Sequence, residues 1–190
     1  AIFSAVLVIA AGLTLWYILD NRQTLDGAIT GQSSYTAGQG ISSVKTSEKQ
    51  RYYSIETQKP EAVQALSEIY DTDIQTFRAQ LQGLLDAKAL DRKDPAKLTI
   101  GFSVEMFEQY KTYTVHTEQY ISEGNTANKT TDYRVILDGD HLLAAADLFK
   151  DGVDYTAKLS DLAGMSVSDP DGKLALTSQG LAVFADKTVV

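Results

Sequence analysis

The pattern of apolar and polar positions changes abruptly along this chain, and each change predicts an element. Ala1–Leu19 (AIFSAVLVIAAGLTLWYIL) carries no charge, and only Ser4 and Thr14 interrupt it with hydroxyls. A helix of that length reaches about 28 Å at roughly 1.5 Å per residue, close to the hydrocarbon thickness of a bilayer. It has no polar face, which a water-covered helix would show. Trp16 and Tyr17 stand near its far end, and Asp20-Asn21-Arg22 stops it. The pattern predicts a single-pass transmembrane anchor in the cell membrane, with the lipid bilayer as its partner and the rest of the chain extracellular. Two other readings stay open. A secretory signal peptide would have a shorter apolar core, about 7–15 residues, and an adjacent small-x-small cleavage site. A buried core helix would need apolar partners on all sides.

From Gln23 to about Gln50 the chain turns polar and small, rich in Gly, Ser, Thr and Gln, with no sustained period. Such a composition buries too little apolar surface to offset ordering entropy, so a flexible stalk is expected. Arg51–Gln58 alternates in part and reads as a first strand. Pro60 suits the first position of a helix, where its missing N–H costs nothing. Leu66, Tyr70, Ile74, Phe77, Leu81, Leu84 and Leu85 then recur at steps of three or four, the stripe of a long amphipathic helix. Asp91–Pro95 ends it.

Next come three runs of period two. Leu98, Ile100, Phe102, Val104 and Met106 alternate with polar or small residues. After a turn near Gln109–Lys111, Tyr113, Val115, Thr117, Gln119 and Ile121 share one face, and Thr114, His116, Glu118 and Tyr120 the other. Glu123-Gly124-Asn125 supplies turn chemistry before Thr131, Tyr133, Val135 and Leu137, and Asp138-Gly139-Asp140 supplies it after them. His141–Lys150 reads as a short helical turn or docked apolar loop, Tyr155–Leu162 as a short helix, and Lys173–Thr177 with Leu181–Ala185 as a hairpin. The expected fold class is α+β: an N-terminal transmembrane helix, a flexible stalk, then an antiparallel meander covered by a long amphipathic helix. The expected boundaries are 1–19 for the anchor, 20–50 for the stalk, 51–95 for a strand and the long helix, and 96–190 for the antiparallel α+β domain.

Composition narrows the function classes. The chain has 190 residues, a net charge of −8 and no cysteine. An acidic balance disfavours nucleic acid as a partner. Without cysteine there are no disulfides and no thiolate metal sites, a usage common among Gram-positive surface proteins. The start at Ala1 and the apolar end at Thr188-Val189-Val190 suggest a fragment truncated at both ends.

Candidate chemistry is sparse. His116 and Glu118, two apart on one strand face, are placed to act as an acid–base pair or as two metal ligands. A third ligand with recognisable spacing is missing, and polar residues on a solvated strand face need no such role. His141 stands alone. Glu105, Glu108, Glu118 and Glu123 are the candidates for a glycosidase carboxylate pair. No phosphate loop, nucleophile elbow or H-E-x-x-H motif occurs. Asn128-Lys129-Thr130 matches a glycosylation acceptor. No catalytic, cofactor or metal residue is assigned.

One stretch carries a resemblance. Residues 130–162 (TTDYRVILDGDHLLAAADLFKDGVDYTAKLSDL) join a strand ending in Leu137-Asp138-Gly139-Asp140, the apolar segment Leu143–Asp151 and a helix at Tyr155–Leu162. Residues 174–186 (LALTSQGLAVFAD) form a final hairpin. Over about residues 50–190 this resembles the extracytoplasmic domain shared by membrane-anchored peptidoglycan N-acetylglucosamine deacetylases and lysozyme-sensing anti-sigma factors. Relatives often carry a Gly-Gly-Ala-His-like segment where this chain has Ser122-Glu123-Gly124-Asn125-Thr126, so that histidine's role does not transfer. The resemblance implies a non-catalytic region that positions a downstream polysaccharide deacetylase domain at the cell wall, with peptidoglycan as partner. Any divalent metal such as zinc, and the T-F-D-D-G-P and H-S-x-x-H segments, would belong to that downstream domain. The alternative it implies is the outer domain of a sensor, with lysozyme as partner, or a wall- or protein-binding surface module.

Overall fold

A computed structural model describes residues 31–36, 41–61, 63–90, 94–122, 127–164, 166–167 and 169–184. Ala1–Leu19, the expected turn Glu123-Gly124-Asn125 and the end at Thr188–Val190 lie outside the described residues. Among these residues nine strands, β1 to β9, and two helices, α1 and α2, follow one another. They are β1 Gly31–Thr36, β2 Ser42–Lys49, β3 Tyr53–Pro60, α1 Gln64–Asp86, β4 Ala96–Phe107, β5 Tyr110–Ile121, β6 Ala127–Asp138 and β7 His141–Leu143. A 3-10 turn at Ala145–Leu148 leads to α2 Tyr155–Ala163, β8 Leu174–Thr177 and β9 Gly180–Val183. Strands β1 to β7 form one sheet in sequence order, and β8 with β9 form a separate hairpin.

Every neighbouring pair in the large sheet is antiparallel except β3 and β4, which run parallel with Tyr53 opposite Ala96 and Thr57 opposite Ile100. Two adjacent parallel strands need a crossover long enough to return the chain to the same edge, and α1 is that crossover. Leu66, Tyr70, Phe77 and Leu81 are its buried residues. They pack with Tyr53, Ile55, Leu98, Ile100, Tyr113 and Val115 from β3, β4 and β5. Tyr53 and Phe77 meet edge to face, with ring centroids 6.1 Å apart. Polar ties add register: the Thr117 hydroxyl donates to Asp73 at 2.6 Å, and Tyr70 donates to the Gln58 carbonyl at 2.5 Å. The helix ends in a Schellman arrangement. Ala89 N–H reaches the Leu84 carbonyl and Lys88 N–H the Leu85 carbonyl, with Lys88 at φ 57 where glycine is usual.

The opposite face of the sheet has its own, smaller cluster. Ile136 points there, between Val135 and Leu137, which point to α1. It packs with Ala145, Leu159, Val167 and Leu174, drawn from the 3-10 turn, α2, the loop after it and the hairpin. Thr112 stitches the hairpin down: its hydroxyl accepts from Leu176 N–H at 3.1 Å and donates to the Leu176 carbonyl at 3.3 Å. Asp154 caps α2 by accepting from Ala157 N–H at 3.0 Å, and Gly164 closes it at φ 64.

The expected architecture is corrected on four counts. The sheet is mixed, not an antiparallel meander, because α1 inserts between two parallel strands. No single long helix covers it either. The α1 stripe seats the Ala96–Ile100 half of β4, and beyond it Met106 is 52% exposed. The expected stalk is strand wherever it is described, since β1 and β2 pair in register as part of the sheet. The cue was missed because β2 is largely polar on the face it shares with Ile55 and Thr57: Glu48 is buried there, and Thr46 meets Thr57 hydroxyl to hydroxyl at 2.6 Å. Lastly, among the described residues no helix is long and apolar enough to cross a membrane. The single-pass, membrane-anchored placement has no support within those residues, and Ala1–Leu19 lies outside them. Pro60 also closes β3 opposite Ser43, three residues ahead of the helix cap at Val63, and does not open α1.

Glu48 is only 6% exposed. It accepts from the Tyr53 hydroxyl and pairs with Arg78 of α1 at 2.7 Å. Burial, then the Glu48 carboxylate, pushes the Tyr53 phenol above its ordinary value of 10.0. A raised phenol favours the folded state fully below pH 10 and loses that contribution as pH climbs toward the folded value. Stability measured by urea unfolding should therefore fall above about pH 10. Tyr53→Phe should flatten that alkaline limb and cost about 1–3 kcal/mol at neutral pH, because a buried carboxylate oxygen loses its donor. Phe77→Ala should cost about 3–5 kcal/mol in the same assay, as a fully buried ring leaves a cavity between α1 and Tyr53.

Candidate functional site

The two clusters cover different parts of the sheet's two faces, and this leaves a strip bare. On the face away from α1, the register across β4, β5 and β6 builds rows of three. Lys97, Tyr120 and Asn128 form the first, Thr99, Glu118 and Thr130 the second, Gly101, His116 and Asp132 the third, and Ser103, Thr114 and Arg134 the fourth. Beyond Ser103 the hairpin begins to cover the sheet at Thr112 and Ile136. At about 3.3 Å per residue and 4.8 Å between strands, the open strip is about 20 Å long and 10 Å wide. Its first two rows line a recess of about 330 Å³.

The third and fourth rows are wired together. His116 Nε2 lies 2.9 Å from Ser103 Oγ, and His116 Nδ1 lies 2.7 Å from Asp132 Oδ1. The other carboxylate oxygen of Asp132 takes Arg134 Nη2 at 3.1 Å. Arg134 lies over the Phe184 ring, with its guanidinium carbon 3.7 Å from the centroid. A carboxylate only accepts, so Nδ1 carries a proton, and it is in the neutral form of the ring that an Nε2 lone pair faces the serine hydroxyl. His116 and Asp132 side chains are 43% and 36% exposed, whereas Arg134 is 13% exposed. The arrangement is an anchored cation holding a carboxylate that orients an imidazole toward a solvent-facing hydroxyl.

The surroundings are mixed in charge. Arg134 is matched by Asp132, and Lys97 and Lys129 line the recess with Glu118. At the far end the Tyr120 hydroxyl donates to Asp94, and this hydrogen bond is the first cause of its raised pKa. Next to the strip, Tyr133 lies against the turn Pro170–Lys173, where Gly172 accepts from Arg134 N–H at 2.8 Å. Burial and the carboxylates of Asp171 and Asp169 raise the Tyr133 phenol.

His116 and Glu118 do share a face, but both His116 nitrogens go to Ser103 and Asp132, not to Glu118. Among the described residues no group of three His, Cys, Asp or Glu side chains could hold a metal. Glu105 sits three rows from Glu118, about 20 Å along the strands, too far for a glycosidase pair. Glu108 is in the β4–β5 turn at φ 53, and Glu123 lies outside the described residues. His141 is exposed in β7 opposite Asp138. Sequence reasoning missed Ser103, Asp132 and Arg134. Ser103 was within reach of it: a two-residue turn at Glu108-Gln109 sets Gly101 opposite His116, and Ser103 then lies on the diagonal. Asp132 depended on the β5–β6 register, which no local signal gives.

Compared with known proteins, the chain matches no family model and no curated protein. The resemblance in residues 130–162 and 174–186 thus rests on its motifs alone. Those motifs fall on the β6–β7 turn, the 3-10 turn, α2 and the covering hairpin, next to the open strip.

Gly172 sits at φ 77, and a Cβ there would come within 2.3 Å of the Tyr133 ring. Gly172→Ala should therefore destabilise the domain by at least about 1–2 kcal/mol in denaturant unfolding. It should also perturb the Tyr133 ring resonances in an NMR spectrum.

Proposed function

We propose that this domain binds the glycan strand of peptidoglycan along the open face of β4, β5 and β6. The observation that carries the reading is the uncovered strip of hydroxyl, amide and ionic side chains on the face of β4, β5 and β6 away from α1. A sugar polymer is flat, uncharged along much of its length and rich in hydroxyls, so it asks for many donors and acceptors spread over an extended surface. Thr99, Glu118, Tyr120, Asn128 and Thr130 offer that set along two adjacent rows. The chain's net charge of −8 disfavours a phosphate-bearing polymer. The deacetylase setting suggested by the 137–151 and 174–184 motifs gives such binding a purpose. The wall strand would be held here while amide hydrolysis occurs in another domain of a longer protein.

Co-sedimentation with purified insoluble peptidoglycan tests the reading. The protein should pellet with the wall material, and Glu118→Ala combined with Asn128→Ala should weaken binding about tenfold, the worth of one to two net hydrogen bonds. Protein left wholly in the supernatant at high micromolar concentration, or a double variant that binds as well as the parent, would overturn it.

A further inference from the structure

We infer that Ser103, His116 and Asp132 form a hydrolytic triad that cleaves esters of small acyl groups, an activity separate from glycan binding. Three features of the fold carry this beyond a chance set of surface hydrogen bonds. The first is the complete relay: serine hydroxyl to Nε2 at 2.9 Å, and Nδ1 to carboxylate at 2.7 Å. Those are the contacts by which a base activates a hydroxyl and a carboxylate fixes the base's tautomer. The second is the anchoring of its far end, where Arg134 binds the second Asp132 oxygen from a position stacked on Phe184. The carboxylate is thereby held from both sides on three rigid strands.

The third is room and donors at the nucleophile. Gly101 stands beside Ser103 on the same face, directly opposite His116, and a Cβ built there would meet nothing within 4 Å. This notch sits where the acyl group of a substrate must lie. The pairing of β3 with β4 stops at Thr57 and Ile100. From Gly101 to Phe107, then, β4 has no strand partner on that edge among the described residues. Its outward backbone N–H groups are the donors this edge offers to an oxyanion.

The step balances without a cofactor. Ser103 Oγ attacks the ester carbonyl as its proton passes to His116 Nε2. The tetrahedral intermediate collapses, the C–O bond to the alcohol breaks, and Nε2–H returns the proton to the leaving alkoxide. Water, deprotonated by the same nitrogen, then attacks the acyl-serine, releasing the carboxylic acid and restoring the hydroxyl. Asp132 remains the acceptor for Nδ1–H throughout. Ser103 and His116 are the catalytic residues, whereas Asp132 and Arg134 are positioning residues. The open surroundings suit an acyl group as small as acetyl, and the neighbouring recess suits a polyhydroxylated alcohol.

The test uses the full chain with a fluorophosphonate probe and with 4-nitrophenyl acetate, neither of which requires wall binding. Peptide mapping should find the phosphonyl adduct on Ser103, in a one-to-one ratio by intact mass. Ser103→Ala should abolish both labelling and turnover. His116→Ala should lower turnover by about 10²-fold or more. Asp132→Asn should lose a comparable factor while Asp132→Glu recovers part of it, a rescue that a merely structural carboxylate would not show. Thermal melts of each variant establish that the fold is intact. An adduct on any other residue overturns the inference, as does ester hydrolysis by folded Ser103→Ala at the parent's rate. Failure of wall co-sedimentation leaves it standing.

Discussion

The buried carboxylate of Glu48 is the contact on which the join between the two halves of the sheet depends. An ionised group out of water costs several kcal/mol unless its partners restore what solvent gave. Here the partners come from two different elements. Tyr53 opens β3 beside it, and Arg78 reaches down from the middle of α1. One carboxylate thus ties the polar outer strands, the parallel joint and the crossover helix at a single point. It also explains why β2 can be polar on its inward side and still belong to the sheet. A hydrophobic residue at position 48 would pack against Tyr53, but it would leave Arg78 without its anion, and α1 would lose the tie that fixes its rotation over β3.

With α1 fixed in that way, the division of the sheet follows. The helix stripe reaches from β3 across β5 on one face, and the hairpin, α2 and the 3-10 turn occupy one end of the other. Neither cover extends over the first three rows of β4, β5 and β6 on the hairpin side, and in the fourth Phe184 lies on Arg134. The strip is open because of where the covers stop, and its side chains are polar because nothing packs on them. The hairpin matters to the strip for another reason. Phe184, just beyond β9, is the surface on which Arg134 rests, so the cover supplies the anchor for the row beside it.

The alternation in residues 96–107, 110–121 and 127–138 announced three strands and the correct inward faces, and the stripe from Leu66 to Leu81 announced α1. These were legible because burial against a core writes a period into the sequence. The strands at Gly31–Thr36 and Ser42–Lys49 were illegible for the converse reason. Both pair through a ladder of backbone bonds, and Ser42–Lys49 adds one hydroxyl pair and one buried ion pair, none of which selects apolar residues. Parallel pairing was equally hidden, since a strand before a helix and a strand after it look the same whichever way they meet. Pro60 misled because a fixed φ suits a strand end as well as a first helical turn. His116 drew notice from its residue type alone. Its actual partners, Ser103 and Asp132, come from neighbouring strands and become visible only once two registers are known.

That last point bears on how far a polar row on a sheet can acquire chemistry. Cross-strand neighbours are held at about 4.5–5.5 Å by the ladder itself, so a reach of one side chain in the diagonal direction is reproducible to a few tenths of an ångström. A loop would give the same three residues more freedom and less accuracy. The sheet imposes the opposite cost: its backbone donors are consumed by pairing, which normally starves such a row of anything to stabilise an oxyanion. β4 differs at one place: its pairing with β3 stops at Thr57 and Ile100, and among the described residues it has no strand partner on that edge from Gly101 onward. Ser103 lies just past that point, with the notch at Gly101 beside it and His116 reaching it across the β5 register. The serine whose hydroxyl faces the imidazole therefore also lies on the stretch of β4 that has no strand partner on its outer edge among the described residues.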